Sequence, residues 1–265
     1  MRRWLLGGLL GSGVAALAYR RRALTGDGAL AAAVVGAVVF VRGGAAAAAS
    51  LVTFFVSSTA LSRWRERRRV DLVQAKGGRR DAWQVLANGG IATAWLVVGR
   101  ERGRGGFLGG LAAAGADTWA TELGMLAGRA PRLITSGRPV PPGTSGGVTP
   151  VGYAAACGGA VAVGLGWRLV SRGGGRPLST AFVSGVVGSS VDSLIGATLQ
   201  ATYWCDSCGV VTEQAVHRRC GHRARLQKGA AWLDNDVVNG LATLCGSLLG
   251  AALWRERGLR WPRRA

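Results

Sequence analysis

The sequence predicts an all-α fold, a polytopic transmembrane bundle of about seven to eight helical spans. Three observations carry this expectation. Uncharged runs recur along the 265 residues, at 4–19, 43–62, 82–99, 139–167 and 237–254, and several approach the roughly 20 residues that cross a bilayer core. Alanine and glycine fill these runs, and 44 glycines suit membrane helices that pack backbone against backbone. The formal net charge of +20 sits between and beside the runs, where anionic headgroups would meet it. No basic helix interleaved with base-stacking aromatics is present, so a nucleic-acid partner is not expected. Trp4, Trp64, Trp204 and Trp254 lie near run ends, in the manner of an interfacial belt.

Taken in order, residues 1–22 have the basic start, short apolar centre and small-residue end of a signal peptide. They equally suit a first membrane helix clamped by Arg20, Arg21 and Arg22, which is favoured because the chain beyond is itself membrane-embedded. Helices are expected at 28–41 and 45–61, joined by a tight Arg42-Gly43-Gly44 turn, and a strongly basic loop follows to residue 80. The next helix, 82–98, places Gln84 and Asn88 on one face. Helices at 107–127, 148–170, 179–201 and 235–254 complete one membrane domain spanning 1–265. A Cys/His insertion at 203–232 interrupts it. Gly106 with Gly110, and Gly124 with Gly128, have the small-xxx-small spacing of close helix contacts. Asp27, Asp81 and Asp234 suit helix N-caps.

The chemistry concentrates between Ala116 and Pro150. Asp117 and Thr121, like Thr118 and Glu122, are four apart and make one polar stripe on an apolar helix. Arg129, Arg132 and Arg138 follow, then a loop in which Gly143, Thr144, Ser145, Gly146 and Gly147 leave backbone N–H groups able to approach an anion. Carboxylates hold divalent cations, and arginines with a glycine-rich turn cradle phosphate. Two more helices carry an acid: Ser189, Asp192, Ser193 and Gln200 recur at helical steps, as do Asn235, Asp236, Asn239 and Thr243. An ionised aspartate in hydrocarbon is expensive enough to demand a polar interior and a partner. Asp117, Asp192 and Asp236 together therefore read as functional residues facing such an interior, rather than as groups that merely hydrogen-bond helices together.

Cys205 and Cys208, then Cys220 and His222, have spacing suited to a tetrahedral zinc knuckle, with His217 competing for the fourth place. Four protein ligands leave no open position, so this zinc would be structural. Cys157 and Cys245 fall within helices as packing residues. Placing the basic loop of 63–80 inside brings every polar motif to the same, Lys/Arg-richer side. The site then faces the cytoplasm from the cell membrane. A transporter or flippase of an anionic lipid is the alternative, as is a non-catalytic scaffold. Alternating access needs polar groups leading to both faces, and a scaffold leaves the embedded acids without a task. Oligomeric assembly stays open.

The segments KGGRRDAWQVLANGG, ADTWATELG, PRLITSGRPVPPGTSGGVTPVG, GSSVDSLIGATLQ and WLDNDVVNG resemble an integral-membrane family that includes plant phytyl-phosphate kinase and a human transmembrane relative. The resemblance covers nearly the whole chain. It implies transfer of a phosphoryl group, with CTP as the expected donor, onto a prenyl monophosphate to give the diphosphate. The spacing Asp117-x-x-Ala120-x-x-x-Gly124 is also similar to that of the CTP-dependent dolichol and phytol kinases. Their Lys-Thr pair is replaced here by Ile134-Thr135-Ser136-Gly137-Arg138, so reaction class rests on firmer matches than donor identity. On this reading Asp117 with Asp192 or Asp236 holds Mg²⁺, while Arg132, Arg138 and the glycine loop meet developing charge. Lys76, Arg79 and Arg80 anchor the acceptor phosphate, whose tail lies between glycine-rich helices. Glu122 is a metal or arginine partner, since an ionised phosphate acceptor requires no strong base.

Overall fold

A computed structural model describes residues 1–68, 79–99, 101–126, 128–171 and 176–254. Lys76 lies outside them. The helices are α1 (Arg2–Arg20), α2 (Gly26–Val38), α3 (Gly44–Arg67), α4 (Ala82–Val85), α5 (Ile91–Val98), α6 (Glu101–Met125), α7 (Pro150–Val170), α8 (Pro177–Thr198) and α9 (Asn235–Leu253). Each coincides with an apolar stretch of the sequence. Two single π-helical turns, Val39–Gly43 and Leu86–Gly90, join α2 to α3 and α4 to α5.

By length and apolarity, four helical segments among the described residues suffice to cross a membrane: Gly26–Arg67, Pro150–Val170, Pro177–Thr198 and Asn235–Leu253. That is coarser than the seven to eight spans expected. Two physical features account for the difference. The first segment is 42 residues long yet broken at Gly44, whose φ of 71° no helix permits. The helix α6 carries Glu101, Arg102 and Arg104 at one end and Asp117 and Glu122 near the other, which dilutes its apolar character.

Nevertheless α6 is the axis of the bundle. It packs against α3, α5, α7, α8 and α9, and its residues from Gly105 to Ala116 are buried without a break. The reason is backbone proximity. A side chain on Gly109 would sit 2.8 Å from Gly250 Cα on α9, and one on Gly159 of α7 would sit 2.7 Å from the Gly115 carbonyl. Small residues on both partners make such contacts possible. Gly106 and Gly110 also pack, on Trp95 and Ser247 respectively. Gly128, by contrast, lies in a loop at φ 65° and contributes no helix contact. These glycine faces are filled by neighbouring helices, so they leave no slot there for an isoprenoid tail.

Leu5, Leu9, Leu30, Val34, Leu169 and Leu248 point outward and are exposed, as a lipid-facing surface requires. Trp4 and Trp64 are exposed too. Trp254 departs from the expected belt: it is buried and meets Trp167 edge-on, with ring centroids 5.4 Å apart. The N-terminal helix α1 packs on α2 through Gly7 and Gly11.

Apart from loops, the described residues are helical except in two small sheets. In one, β1 (Arg132–Leu133) pairs antiparallel with β2 (Gly147–Val148) and closes the glycine loop at its base. In the other, β3 (Thr202–Cys205) lies between β4 (Val210–Thr212) and β5 (Arg225–Lys228), both antiparallel to it.

Caps fix the helix starts at one end. Asp234 Oδ1 accepts from the N–H groups of Asp236 and Val237, both at 3.0 Å. Asp81 and Gln84 form a reciprocal capping box. Asp27 is not the cap of α2; Thr25 is, accepting from Gly28 N at 3.2 Å. Asp27 instead reaches across to accept from Ala82 N at 3.1 Å, so it serves the neighbouring helix. Backbone hydrogen bonds Arg80 N to Ala23 O and Thr25 N to Arg80 O, each 3.0 Å, tie the starts of α2 and α4 together.

Candidate functional site

At that same end the bundle opens into a cavity of about 530 Å³. Its wall is assembled from the end of α3, the start of α4, the lower part of α6, the glycine loop, the start of α7, the lower part of α8 and the start of α9. The polar faces of α6, α8 and α9 meet the glycine loop here. Asp117, Thr121, Glu122, Ser189, Asp192, Ser193, Gln200, Asn235 and Asn239 line it, with Arg80, Asn88 and the whole of Gly143, Thr144, Ser145, Gly146 and Gly147. The π turn of Leu86–Gly90 puts Asn88 on this wall beside Gln84. Such extra-residue turns recur at functional sites.

The acids fall into two environments. Glu122 is buried and paired: Arg65 Nε approaches its Oε2 at 2.7 Å, and Ser62 Oγ donates to its Oε1 at 2.7 Å. Arg80 lies near enough for Glu122 to favour its charge; burial pushes the guanidinium down to about 10 and Glu122 opposes the fall. Arg80 thus stays cationic at neutral pH, stacked over Phe54 and Phe55 and donating to Thr59 Oγ1 at 3.3 Å. Among the described residues no salt bridge to Asp117 or Asp192 is formed. Their carboxyl groups lie within hydrogen-bonding reach of one another, from α6 and α8, and Glu213 adds a third negative group beside Asp192. Asp192 Oδ2 is buried with no donor among the described residues, and so is Gln200 Nε2 without an acceptor.

Opposite these acids stands the glycine loop. Gly143 and Gly146 adopt φ of 84° and 77°, the left-handed region that glycine enters without steric cost. Among the described residues the N–H groups of Gly143, Ser145 and Gly146 donate to no backbone carbonyl. Gly146 is pressed against the backbone of Ala197 at the end of α8, and Ser145 Oγ donates to Glu213. Thr149 caps α7 by accepting from Gly152 N at 2.9 Å, which aims that helix's positive end at the same space.

Several sequence-predicted residues stand elsewhere. Arg132 is exposed and donates to Gly137 O at 2.7 Å, and Arg138 is exposed as well. Neither lines the cavity. Arg79 donates to Leu24 O at 3.0 Å and lies over Tyr19. Asp236 occupies the first turn of α9 but not the cavity wall. Of the three loop arginines only Arg129 lines the cavity, and Ser62, Arg65, Tyr153 and Glu213, which no sequence motif marks, line it too. Ser62 and Arg65 share a helix face by their three-residue spacing, a signal present in the sequence. Glu213 has no periodic context at all.

The insertion forms a compact knuckle on β3, β4 and β5. Cys205, Cys208, His217 and Cys220 bring one ligand atom each to within 4.8 Å of one another. His222, expected as the fourth member, is not in this group. Its backbone N–H instead points at the Cys220 sulfur, the chief reason that thiol is lowered to about 6. Cys208 is raised to about 11, chiefly by its hydrogen bond with Cys220. All five cysteines are free, and Cys157 and Cys245 lie within α7 and α9.

The family described as "Integral membrane protein DUF92" matches residues 9–247. The chain belongs to the DUF92 family. It is 32% identical to Protein PGR of Arabidopsis thaliana, over 91% of this chain and 92% of that one. Uncharacterized membrane proteins of Methanocaldococcus jannaschii (27%; 91% and 90%) and Synechocystis (26%; 94% and 91%) are similar over nearly their full lengths. No solved structure matches. The DUF92 match takes in every cavity residue and the knuckle, and agrees with the family resemblance carried by the five ordered motifs.

Proposed function

We propose that this DUF92 protein is a membrane lipid kinase. It transfers the terminal phosphoryl group of a nucleoside triphosphate, CTP being the expected donor, to a prenyl monophosphate. The observation that supports the reading is that Asp117 and Asp192 share a cavity with the glycine loop, in which the N–H groups of Gly143, Ser145 and Gly146 donate to no backbone carbonyl among the described residues. Adjacent carboxyls with a donorless buried oxygen fit a hard divalent cation, so Asp117 and Asp192 would hold Mg²⁺. A divalent ion held there would supply positive charge to offset that of the donor phosphates. Asp236 remains at the edge of this set.

The protein's own groups do the rest. The N–H groups of Gly143, Ser145 and Gly146 and the start of α7 bind phosphate oxygens. Arg80 and Arg129, rather than Arg132 and Arg138, supply cations on the wall. The bond from the terminal phosphorus to the donor's bridging oxygen breaks as an acceptor phosphate oxygen bonds to that phosphorus. A nucleoside diphosphate and a prenyl diphosphate result. Glu122 is committed to Arg65 and Ser62, which orients the arginine instead of abstracting a proton. The acceptor keeps its headgroup at the cavity and its tail in the bilayer beside the bundle. The cavity faces the cytoplasm, where nucleotide is available, and the break at Gly44 makes Gly26–Arg67 two crossings within a seven-to-eight-span protein.

The deciding experiment offers purified protein prenyl monophosphates of several chain lengths against each of four γ-labelled nucleoside triphosphates with Mg²⁺. Labelled prenyl diphosphate is expected with at least one pair. Absence of transfer from every donor, in protein shown to be folded, overturns the reading.

A further inference from the structure

The knuckle contains two copies of one turn. In Cys205-Asp206-Ser207-Cys208-Gly209, the Cys205 carbonyl accepts from Cys208 N at 3.3 Å and from Gly209 N at 2.8 Å. In His217-Arg218-Arg219-Cys220-Gly221, the His217 carbonyl accepts from Cys220 N at 3.3 Å and from Gly221 N at 2.8 Å. Gly209 and Gly221 close the two turns at φ of 65° and 73°. His217 is thus the structural counterpart of Cys205, and His222 has no counterpart in the first turn. The turns face each other: Cys205 Sγ lies 3.5 Å from Cys220 Sγ, and Cys220 Sγ lies 3.3 Å from His217 Nδ1. Ligands on a tetrahedral ion with Zn–S of about 2.3 Å stand roughly 3.8 Å apart, slightly less where one is nitrogen. Cys205 is fully buried.

We propose that Cys205, Cys208, Cys220 and His217 Nδ1 bind one zinc ion in a closed, structural S₃N site, and that this ion fixes the glycine loop over the cavity. The link runs through two contacts from the knuckle to the membrane helices. Glu213, just beyond β4, accepts from Ser145 of the loop, and Lys228 of β5 donates to the Ala197 carbonyl at the end of α8. Ala197 is also the residue against which Gly146 rests. The knuckle is three short strands and two turns with few buried apolar side chains, so a bound metal would supply much of what holds it together.

The test reads metal, not turnover. Full-length protein purified in detergent without chelator is expected to carry about one zinc per chain, lost in Cys205→Ser and in His217→Ala but kept in His222→Ala. Cobalt in place of zinc should give the intense near-ultraviolet sulfur-to-metal charge-transfer band of a multi-thiolate site. His217→Cys, which rebuilds a four-thiolate site should His217→Ala fail to fold, should retain metal and strengthen that band. Hydrogen exchange of residues 141–147 should speed up on metal removal. The assignment is overturned by protein free of zinc, by a mass showing a disulfide among these cysteines, or by metal retained in His217→Ala but lost in His222→Ala. Unchanged exchange in the glycine loop after metal loss overturns the coupling.

Discussion

Asp117 and Glu122 stand five residues apart on one helix and line one cavity, yet the protein treats them differently. Glu122 receives Arg65, Ser62 and the field of Arg80. Asp117 receives another carboxyl, Asp192. A buried acid surrounded by its own cations is part of the scaffold, and removing it strands them. A buried acid facing a second acid is stable only with a cation or proton from outside. On the proposed reading, the difference marks where structure ends and ligand binding begins.

Asp117→Asn sharpens the comparison most. The amide keeps the shape but cannot neutralise a divalent ion, so turnover should fall about 1,000-fold in the kinase assay. Thermal stability without metal should hold or rise, because a like-charge pair has been relieved. Divalent cation should raise the melting temperature of the parent protein and leave that of Asp117→Asn unmoved. Near-parental activity in Asp117→Asn would remove it from the metal site. Glu122→Gln should behave in the opposite manner. It should cost about 3 kcal/mol of stability, as when one partner of a buried ion pair is removed, seen as a lowered denaturation midpoint in detergent whether or not metal is added.

The loop opposite the acids gives a smaller effect. Gly146 and Gly137 both have positive φ, 77° and 67°, but a side chain on Gly146 would strike Ala197 while one on Gly137 meets open space. Gly137→Ala should cost only the left-handed penalty of about 1 kcal/mol. Gly146→Ala should cost about 1 kcal/mol more and weaken nucleotide binding in a titration. Equal costs for the two would mean that the loop does not rest on α8.

Periodicity made much of this legible. The helices announce themselves as apolar runs, and Asp117, Thr121 and Glu122 share a stripe that does line the cavity. Which cations serve them was not legible from local pattern. Arg132 and Arg138 are near Asp117 in sequence, but the turn closed by β1 and β2 carries them outward. Arg65 and Arg80 come from elements 52 and 37 residues upstream of Asp117 and arrive only through helix packing. The proposed zinc ligand shows the reverse. His222 is nearer Cys220 in sequence, but the repeated spacing Cys-x-x-Cys-Gly and His-x-x-Cys-Gly points to His217. Glu213 lies in an irregular strand-to-turn segment, where no period exists to read.

Asp234 tests the boundary at its finest. It lines the same cavity, so proximity alone would group it with Asp117. Its Oδ1, however, accepts from two backbone N–H groups at the start of α9, where the first turn of a helix offers no intrahelical acceptor. Asp234 therefore belongs with Glu122, as an acid satisfied by the protein. Asn at an N-cap accepts the same hydrogen bonds, so Asp234→Asn should leave stability within a few tenths of a kcal/mol and turnover within about threefold. Asp234→Ala removes the acceptor and should cost about 1 kcal/mol, with activity recovering when assayed at lower temperature. Chemical denaturation and the labelled-phosphate assay on both variants separate the roles. Should Asp234→Asn lose turnover as completely as Asp117→Asn while keeping its stability, the charge of Asp234 acts on the ligand, and the division between satisfied and unsatisfied acids has been drawn one residue too early.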